Sequence, residues 1–364
     1  SHFISAGIYG LTFSSLAILE NCIAKGEHRM RNFQRALVTS GLRIEAYLLT
    51  KVFDIDHIED IKKANEGAKL IASCYKSKTL LVQRAACYSP NSVEKDLAVL
   101  QEVASLLKNV RMICEEELVN CYNAHNQSFY PNPLNFYEEY CQVFSMARSS
   151  IALDYFEKLE QKDVCVLNPS AGVRACKRSY VDKIMRESNL PLPPREGLDG
   201  YWVKRADAAA QSKEDICFCH NKDEVEQAKS AFIVRGIVDI IVQAHVKGDV
   251  VKFYGVEGTD FFRFYYSGDE TETKFGDEEK NGRPQYYPFS SSALQADAER
   301  LSYLLQTPIY GGDAIVREDG SYVIIDFNDF PSFSRCRKEA ARAIVELMNE
   351  KSVSRHVSSS GEKY

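Results

Sequence analysis

Two carboxylates and one amide near the end of the chain are the side chains best suited to chemistry in this sequence. They stand on two apolar segments separated by a Glu-Asp-Gly turn at 318–320, a pattern that predicts an antiparallel hairpin. Because strand side chains alternate between faces, Asp326 and Asn328 point the same way, and the hairpin brings Asp313 near them. Such oxygen ligands suit Mg²⁺, which commonly bridges substrate phosphates. The segment predicts a magnesium site, with the solvated end of an exposed hairpin as the alternative.

A lysine at the end of a short apolar strand provides positive charge of the kind that a phosphate chain requires. Lys204 follows Tyr201-Trp202-Val203 and precedes a run of small and polar residues at 205–213. A compact cation on a rigid strand, beside a loop that can close, suits a phosphate site. Taken alone, a lysine at this position is more often a solvated strand end.

A third segment combines an apolar strand, a polar hinge and a second apolar strand. The first strand leads into Gln243, and Lys252 stands in the second strand between two apolar neighbours. A lysine charge in such a setting requires an anionic partner if its side chain points inward.

The surrounding segments alternate between strand-like and helical patterns, which indicates an α/β architecture. A helix is predicted over Val93–Leu107, behind a cap at Asn91 or Ser92, and another over Arg335–Met348. A further helix begins at Asn221, with a reciprocal capping pattern. Strands are predicted at 46–52, 69–73, 79–82, 110–114, 201–204, 216–219, 237–243, 250–256, 261–266, 313–317 and 322–327. Short turns in the second half favour antiparallel pairing there.

The chain of 364 residues is long enough for two or three domains. A Pro-Leu-Pro-Pro run at 191–194 is typical of a linker. We expect an N-terminal α/β domain with a helical connector over 1–160 and a first lobe over 161–245. A second lobe with the metal site is expected over 246–352, followed by a flexible tail over 353–364.

The composition is that of a folded globular protein, with 45% hydrophobic residues and a net charge of -6 that does not favour nucleic acid. The longest apolar runs are too short to cross a bilayer, and residues 1–13 lack the pattern of a secretory signal. Eleven cysteines without a C-x-x-C pair favour reduced thiols. We therefore expect a cytoplasmic protein with a small-molecule partner and neither nucleic-acid nor membrane partners, and leave a homodimer open.

Taken in this order and at these separations, the three segments resemble the ATP-grasp superfamily. The resemblance covers residues 165–350 and implies an α/β (α+β) fold with two lobes that clamp ATP between antiparallel sheets. It also implies a preceding Rossmann-like α/β domain. The implied cofactors are ATP and Mg²⁺, or Mn²⁺ in its place, with the metal on Asp313, Asp326 and Asn328. Lys204 resembles the lysine that holds the α and β phosphates.

The resemblance assigns further residues to the ATP site. Arg178, with Lys177 as the second choice, matches a basic residue that reaches the phosphates from the family's entry helix. Lys252 is expected to offset negative charge during phosphoryl transfer. The hinge whose backbone would read adenine consists of Gln243, Ala244, His245 and Val246.

The resemblance implies phosphorylation of a small-molecule acceptor and leaves the reaction open. A carboxylate-amine or carboxylate-thiol ligase acting through an acyl phosphate is the leading expectation, because this chemistry is the more widespread in the superfamily. An inositol phosphate or related polyol kinase is the alternative, since Asp326-Phe327-Asn328 is closer to that branch, and a non-catalytic ATP-binding protein is the third. Arg335 is expected to meet the acceptor carboxylate or phosphate bidentately. The expected catalytic groups are Lys204, Arg178, Lys252 and Arg335, with His245 and Arg263 as further cations near the acceptor.

Overall fold

The structure is a computed structural model that describes residues 13–41, 78–90, 92–127, 140–207, 213–267 and 280–360. The chain divides into two compact units, residues 1–72 and 73–364. The strands predicted at 46–52 and 69–73 lie outside the described residues.

In its described part, the first unit contains helices α1 (Phe13–Ala24) and α2 (Met30–Thr39), which contact each other. Phe33 of α2 is buried, whereas Arg31 and Arg35 of the same helix are exposed. Helix α2 therefore buries Phe33 and exposes its charged side chains, as an amphipathic helix does.

The second unit begins with a parallel sheet of four strands in the order β2-β1-β3-β4. Its elements are β1 (Lys78–Gln83), α3 (Val93–Leu106), β2 (Val110–Cys114), α4 (Glu115–Gln127), β3 (Tyr140–Ser145), α5 (Ser150–Glu160) and β4 (Cys165–Leu167). Leu80, Leu81 and Val82 are all fully buried, because both faces of the parallel sheet are covered. The strand order reverses between β1 and β3, so the sheet is doubly wound, as expected for a Rossmann-like domain.

A three-stranded antiparallel sheet follows, in the order β6-β5-β7. The elements here are α6 (Ser170–Ala175), α7 (Arg178–Glu187), β5 (Tyr201–Arg205), β6 (Ile216–Cys219), α8 (Lys222–Val234) and β7 (Ile240–Ala244). Val225 and Phe232 of α8 pack with Val203 on one face of the sheet. Helix α8 starts where the sequence predicts, since the amide of Glu224 donates to Asn221 Oδ1 at 2.9 Å. The other face of this sheet carries Lys204.

A second antiparallel sheet has the strand order β11-β10-β8-β9. Its elements are β8 (Asp249–Val256), β9 (Phe262–Tyr266), α9 (Ser291–Leu305), β10 (Ile309–Val316), β11 (Tyr322–Asn328) and α10 (Arg337–Ser360). Leu294 and Leu301 of α9 cover one face, against Phe253 and Phe327. Helix α10 contacts α3, which packs on the parallel sheet, so within the second unit the last helix joins the second antiparallel sheet to the parallel sheet.

Several boundaries differ from the sequence prediction. Strand β4 pairs with β3, so the parallel sheet extends past the boundary predicted at residue 160. The last helix runs beyond Met348 and through 353–360 of the predicted flexible tail, and residues 361–364 lie outside the described part. Periodicity did not locate these ends, because tertiary pairing decides them. No helix in the described ranges is long and apolar enough to cross a membrane.

Candidate active site

The candidate metal ligands lie on one face of the four-stranded antiparallel sheet. The pairing register places Asp313 of β10 directly opposite Asp326 of β11 on one side and Lys252 of β8 on the other. Residues directly opposite one another in an antiparallel sheet share a face, so these charged side chains form a row across three strands. Asn328 lies on the same face two residues after Asp326, and its Nδ2 donates to Asp326 Oδ2 at 3.3 Å. The convergence predicted from the sequence is present.

The same row contains the anionic partner that Lys252 requires between its apolar neighbours. Its Nζ lies 4.0 Å from Asp313 Oδ1, and the two side chains are 27% and 32% exposed. Lys252 therefore points to the charged face and has the anionic partner that its apolar neighbours require. Tyr265 of β9 extends the same row, directly opposite Lys252.

A β-bulge shapes β11 at the site. The register shifts between Asp313, which faces Asp326, and Ala314, which faces Ile324, so Ile325 is an extra residue. A bulge re-aims the groups around it, and bulges are frequent beside active sites. The Ile325 carbonyl accepts a hydrogen bond from Lys204 Nζ at 3.4 Å. The bulge thus brings the main chain of β11 into contact with the lysine of the three-stranded sheet.

Two cations from the preceding elements meet Asp326. Arg178, the first residue of α7, donates from Nε and Nη2 to the two carboxylate oxygens at 3.3 and 3.4 Å. Its Nη1 donates to the carbonyl of Arg205 at 3.3 Å. Lys177, immediately before it, is exposed, so the structure brings Arg178 to the site and leaves Lys177 outside. Lys204, only 4% exposed, approaches from the facing sheet.

These cations set the ionisation of the metal-site carboxyl. Burial is the largest single influence on Asp326 and by itself raises its pKa, and the charges of Arg178 and Lys204 oppose it. Hydrogen bonds from Arg178 and Asn328 act in the same direction, and the pKa ends below its ordinary value. Asp326 is therefore a carboxylate at neutral pH, as a metal ligand has to be.

The hinge residues Ala244 and His245 make contacts through their backbone amides, whereas Gln243 makes contacts through its side chain. The backbone amides of Ala244 and His245 donate to the carbonyls of Pro194 and Gly200, both at 2.8 Å, which ties the hinge to the linker. Gln243 is 5% exposed, and its Nε2 donates to Asp182 Oδ1 at 3.0 Å. Its Oε1 is buried without a hydrogen-bond partner in the described part of the chain. The side-chain oxygen of Gln243 is thus a buried acceptor at the hinge in addition to the backbone groups that the sequence predicted.

Aromatic residues that the sequence analysis did not single out line the face around Lys204. Trp202 is opposite Phe218 and Gln243, with Trp202 and Phe218 ring centroids 5.1 Å apart. The signal for Trp202 was its position two residues before Lys204, which puts both side chains on one face. Trp202 Nε1 donates to His245 Nδ1 at 3.1 Å, so His245 completes this aromatic cluster.

The acceptor-side arginines lie beside β9. The guanidinium of Arg335 stacks over the Tyr265 ring at 5.3 Å from its centroid, and its Nη1 donates to the carbonyl of Tyr266 at 3.5 Å. Arg263 pairs with Glu339, with 2.6 Å between Nη2 and Oε2. Arg335 is therefore next to the charged row through Tyr265, whereas Arg263 is already committed to a carboxylate of α10.

The residues present fit ATP and Mg²⁺. Asp313, Asp326 and Asn328 form an all-oxygen donor set of the kind that Mg²⁺ prefers. Within the described ranges, no cluster of three His, Cys, Asp or Glu side chains offers another metal site. The buried, unpartnered oxygen of Gln243 matches the exocyclic amino group of adenine, which is a hydrogen-bond donor.

Comparison with known proteins agrees with this architecture. No family model and no curated protein sequence matches the chain. Among solved structures, it is similar to the D-alanine--D-alanine ligase of Bacillus anthracis complexed with ATP, at 12% identity over 78% of this chain and 99% of that one, with a TM-score of 0.51. It is similar to D-alanyl-alanine synthetase A of Vibrio cholerae, at 14% identity over 77% and 99% of the two chains, with a TM-score of 0.52.

A third similar structure is the D-alanine-D-alanine ligase of Coxiella burnetii, at 12% identity over 78% of this chain and 97% of that chain, with a TM-score of 0.52. The three likenesses extend over nearly the whole length of each ligase, between 97% and 99% of its residues. The α/β fold class expected from the sequence is confirmed. The chain therefore has the ATP-grasp fold, in the arrangement of the D-alanine-D-alanine ligases.

Proposed function

We propose that this protein is an ATP- and Mg²⁺-dependent carboxylate-amine, or carboxylate-thiol, ligase that acts through an acyl phosphate. The observation that carries the proposal is the row of Lys252, Asp313 and Asp326 across three adjacent strands. Arg178 donates to Asp326, and Lys204 donates to the carbonyl of the neighbouring Ile325. Phosphoryl transfer asks a protein mainly for positioning and for neutralisation of charge. The row and its two facing cations are suited to both tasks.

Each residue has a distinct role in this proposal. Asp313, Asp326 and Asn328 would hold Mg²⁺, which when bound supplies a Lewis acid for the phosphate oxygens. Lys204 and Arg178 neutralise the phosphates and orient them toward the acceptor. Lys252 offsets the charge that develops during transfer, since it lies in the row beside Asp313.

The nucleobase is assigned to the hinge beside the aromatic cluster. The Gln243 side-chain oxygen would accept the adenine amino group, and Trp202 lies opposite Gln243 on the same face. Arg335, stacked on Tyr265, would bind the acceptor carboxylate from the β9 side of the row. In the first step that carboxylate attacks the γ phosphorus, the bond from this phosphorus to the β–γ bridging oxygen breaks, and ADP leaves. In the second step an amine or thiol attacks the acyl carbon, the bond from that carbon to the phosphate oxygen breaks, and inorganic phosphate and a proton are released.

The pairing of a cation beside β9 with a carboxylate favours the ligase over a polyol kinase. A phosphorylated polyol requires a pocket rich in uncommitted positive charge, but Arg263 is paired with Glu339. The local motif Asp326-Phe327-Asn328 still supports the kinase, so the two reactions have to be separated by their products. A non-catalytic ATP-binding protein would give no product at all.

The test is to follow the γ phosphate with an acceptor labelled with oxygen-18 in its carboxylate. Purified protein, Mg²⁺ and ATP are incubated with labelled amino acids and dipeptides, and in parallel with inositol phosphates. A ligase transfers one labelled oxygen to the released phosphate, which phosphorus NMR detects as an isotope shift, and turnover requires both carboxylate and amine or thiol. A stable phosphate ester would instead identify a kinase.

Matched variants tie any activity to the site. Asp326→Ala should abolish turnover because a metal ligand is lost. Asp319→Ala is the control, since Asp319 is a carboxylate in the exposed turn of the same hairpin and accepts hydrogen bonds from the amide and hydroxyl of Ser321. Unchanged turnover in Asp326→Ala, or equal loss in both variants, would contradict the assignment of the metal site.

A further inference from the structure

The residues immediately after Asn328 are held by the carboxyl ends of the parallel sheet. Asp329 is fully buried, and one of its carboxylate oxygens accepts a hydrogen bond from Nη2 of Arg148, which follows β3. The backbone carbonyl of Asp329 accepts from Nδ2 of Asn168, which follows β4. The end of the metal strand is thus fixed by groups from two strands of another sheet.

Asn168 also fixes the beginning of the neighbouring strand. Its Nδ2 donates to the carbonyl of Ile309 at 2.7 Å, and its Oδ1 accepts from the amide of Ile309 at 2.9 Å. Ile309 is the first residue of β10, the strand that carries Asp313. One buried amide therefore sets the start of β10 and the end of β11 together.

A third contact comes from the end of β1. Arg84 Nη2 donates to the carbonyl of Phe330 at 3.1 Å, and its Nε lies 3.2 Å from Asp96 Oδ2. The ring of Phe330 packs edge-on against Phe144 of β3, with centroids 4.9 Å apart. Three of the four parallel strands therefore contribute a contact to the two residues that follow Asn328.

The buried charge of Asp329 is costly as a purely structural device. Its second oxygen, Oδ2, is buried and makes no hydrogen bond within the described ranges. The side chains of Phe327 and Phe330, on either side of it, anchor the same segment by apolar packing. Replacing buried ion pairs by apolar residues is often neutral or stabilising, so anchoring by itself does not require a charged pair at this position.

We propose that Asp329, held by Arg148, is a positioning residue for the metal site. It fixes the main chain at the end of β11 so that the side-chain amide of Asn328 stays beside the carboxylate of Asp326. The inference rests on the proposed ATP- and Mg²⁺-dependent function. Groups that orient metal ligands from outside the coordination sphere typically change metal affinity or activity by about 10- to 100-fold when they are removed.

The experiment measures Mn²⁺ binding by electron paramagnetic resonance, in the presence of a non-hydrolysable ATP analogue with a nitrogen between its β and γ phosphorus atoms. Asp329→Asn keeps the size of the side chain and removes its charge, and we expect Mn²⁺ to bind about 10-fold more weakly. Arg148→Lys is the second variant, which keeps the charge and loses the geometry of the guanidinium. It should weaken Mn²⁺ binding in the same direction and decides the question if Asp329→Asn does not fold.

Asp249→Asn is the control for loss of a buried carboxylate. Asp249 is 3% exposed, accepts from the amides of Gln285 and Tyr287, and lies opposite Val316 at the other end of β10. We expect this variant to lose stability while Mn²⁺ affinity stays at the wild-type value. The positioning role would be overturned if Asp329→Asn and Arg148→Lys both bind Mn²⁺ with wild-type affinity. It would also be overturned if Asp249→Asn weakens Mn²⁺ binding as much as they do. Either result leaves the proposed function standing. Absence of metal and nucleotide binding in the wild-type protein would overturn the proposed function as well.

Discussion

The guanidinium of Arg178 and the carboxylate of Asp326 face each other in a two-point contact, Nε to Oδ1 at 3.3 Å and Nη2 to Oδ2 at 3.4 Å. The pair joins the first turn of α7 to the bulged strand β11, and each member is a proposed ligand of a different part of Mg²⁺-ATP. Each charge compensates the other when no ligand is bound. Phosphates that bind Arg178 would separate it from Asp326 and leave that carboxylate available to the metal. A metal on Asp326 would likewise leave Arg178 available to the phosphates. Binding of the phosphates and binding of the metal are therefore expected to be coupled.

Replacing Arg178 by Gln should weaken ATP binding. A hydrogen bond to a charged group contributes about 1.5–3 kcal/mol, so we expect the dissociation constant measured by calorimetry with Mg²⁺ to rise about 10- to 100-fold. Lys177→Gln is the matched control, since Lys177 is the exposed cation next to it. Equal effects in the two variants would show that only general positive charge matters and would contradict the assignment of Arg178.

Replacing Gln243 by Ala should reduce the preference for adenine. The buried Oε1 accepts no hydrogen bond in the described ranges, and the proposal gives it the adenine amino group. We expect ATP affinity to fall by about 10-fold, the effect of about 1.4 kcal/mol from one lost hydrogen bond in a buried site. GTP is the internal control, because guanine has a carbonyl oxygen at that position. A parallel loss of ATP and GTP affinity would point to damage of the hinge instead.

Replacing Glu115 by Ala should destabilise the parallel sheet strongly. This carboxylate is 1% exposed and accepts from the amides of Ala85 at 2.9 Å, Arg148 at 2.9 Å and Ser149 at 2.6 Å. With three buried donors left unpaired, we expect the free energy of unfolding to fall by at least about 3 kcal/mol in a denaturant titration. Glu116→Ala, at the exposed neighbour, should stay within about 0.5 kcal/mol of wild type.

Cysteine reactivity should separate sharply by position and pH. Burial raises the pKa of the Cys336 thiol from its ordinary value near 9 to about 11, whereas Cys87 and Cys114 are exposed. Iodoacetamide at mildly alkaline pH should label the two exposed thiols and leave Cys336 protonated and unlabelled, as read by peptide mass spectrometry. Because the folded pKa is the higher one, the stability contribution of the neutral thiol is complete below pH 9 and is lost as pH rises through 11. Rapid labelling of Cys336 in the native protein would contradict its burial.

The sequence was sufficient to predict that Asp313, Asp326 and Asn328 converge, and insufficient to predict the contacts that hold them in place. The alternation of strand side chains predicted that Asp326 and Asn328 share a face, and the turn predicted that Asp313 joins them. The bulge at Ile325 was not predictable, because a one-residue register shift depends on how β11 pairs with β10. The tie between Asp329 and Arg148 was missed for a similar reason, since no local pattern connects residues 181 positions apart.

Hinge contacts show the same limit. The pattern around Gln243 correctly marked the end of β7, but backbone amides of Ala244 and His245 turned out to be used by the linker at 194–200. A sequence shows which residues lie next to a hinge and does not show which backbone groups the folded chain has already paired. Trp202 is the case in which a signal existed, because its spacing from Lys204 placed both on one face.

The contacts of Asn168, Arg148 and Arg84 with the last strands have a consequence for the order of assembly. The contacts with Asp329 and Phe330 join positions separated by 161, 181 and 246 residues, so they close only after β11 has left the ribosome. The parallel sheet is complete in sequence long before that and is able to form first, because domains generally fold as units from the N-terminus during synthesis. Strand β11 then packs onto a preformed parallel sheet, and a nascent chain stopped before Asp329 would contain that sheet and Lys204 but lack the contacts that hold the end of β11.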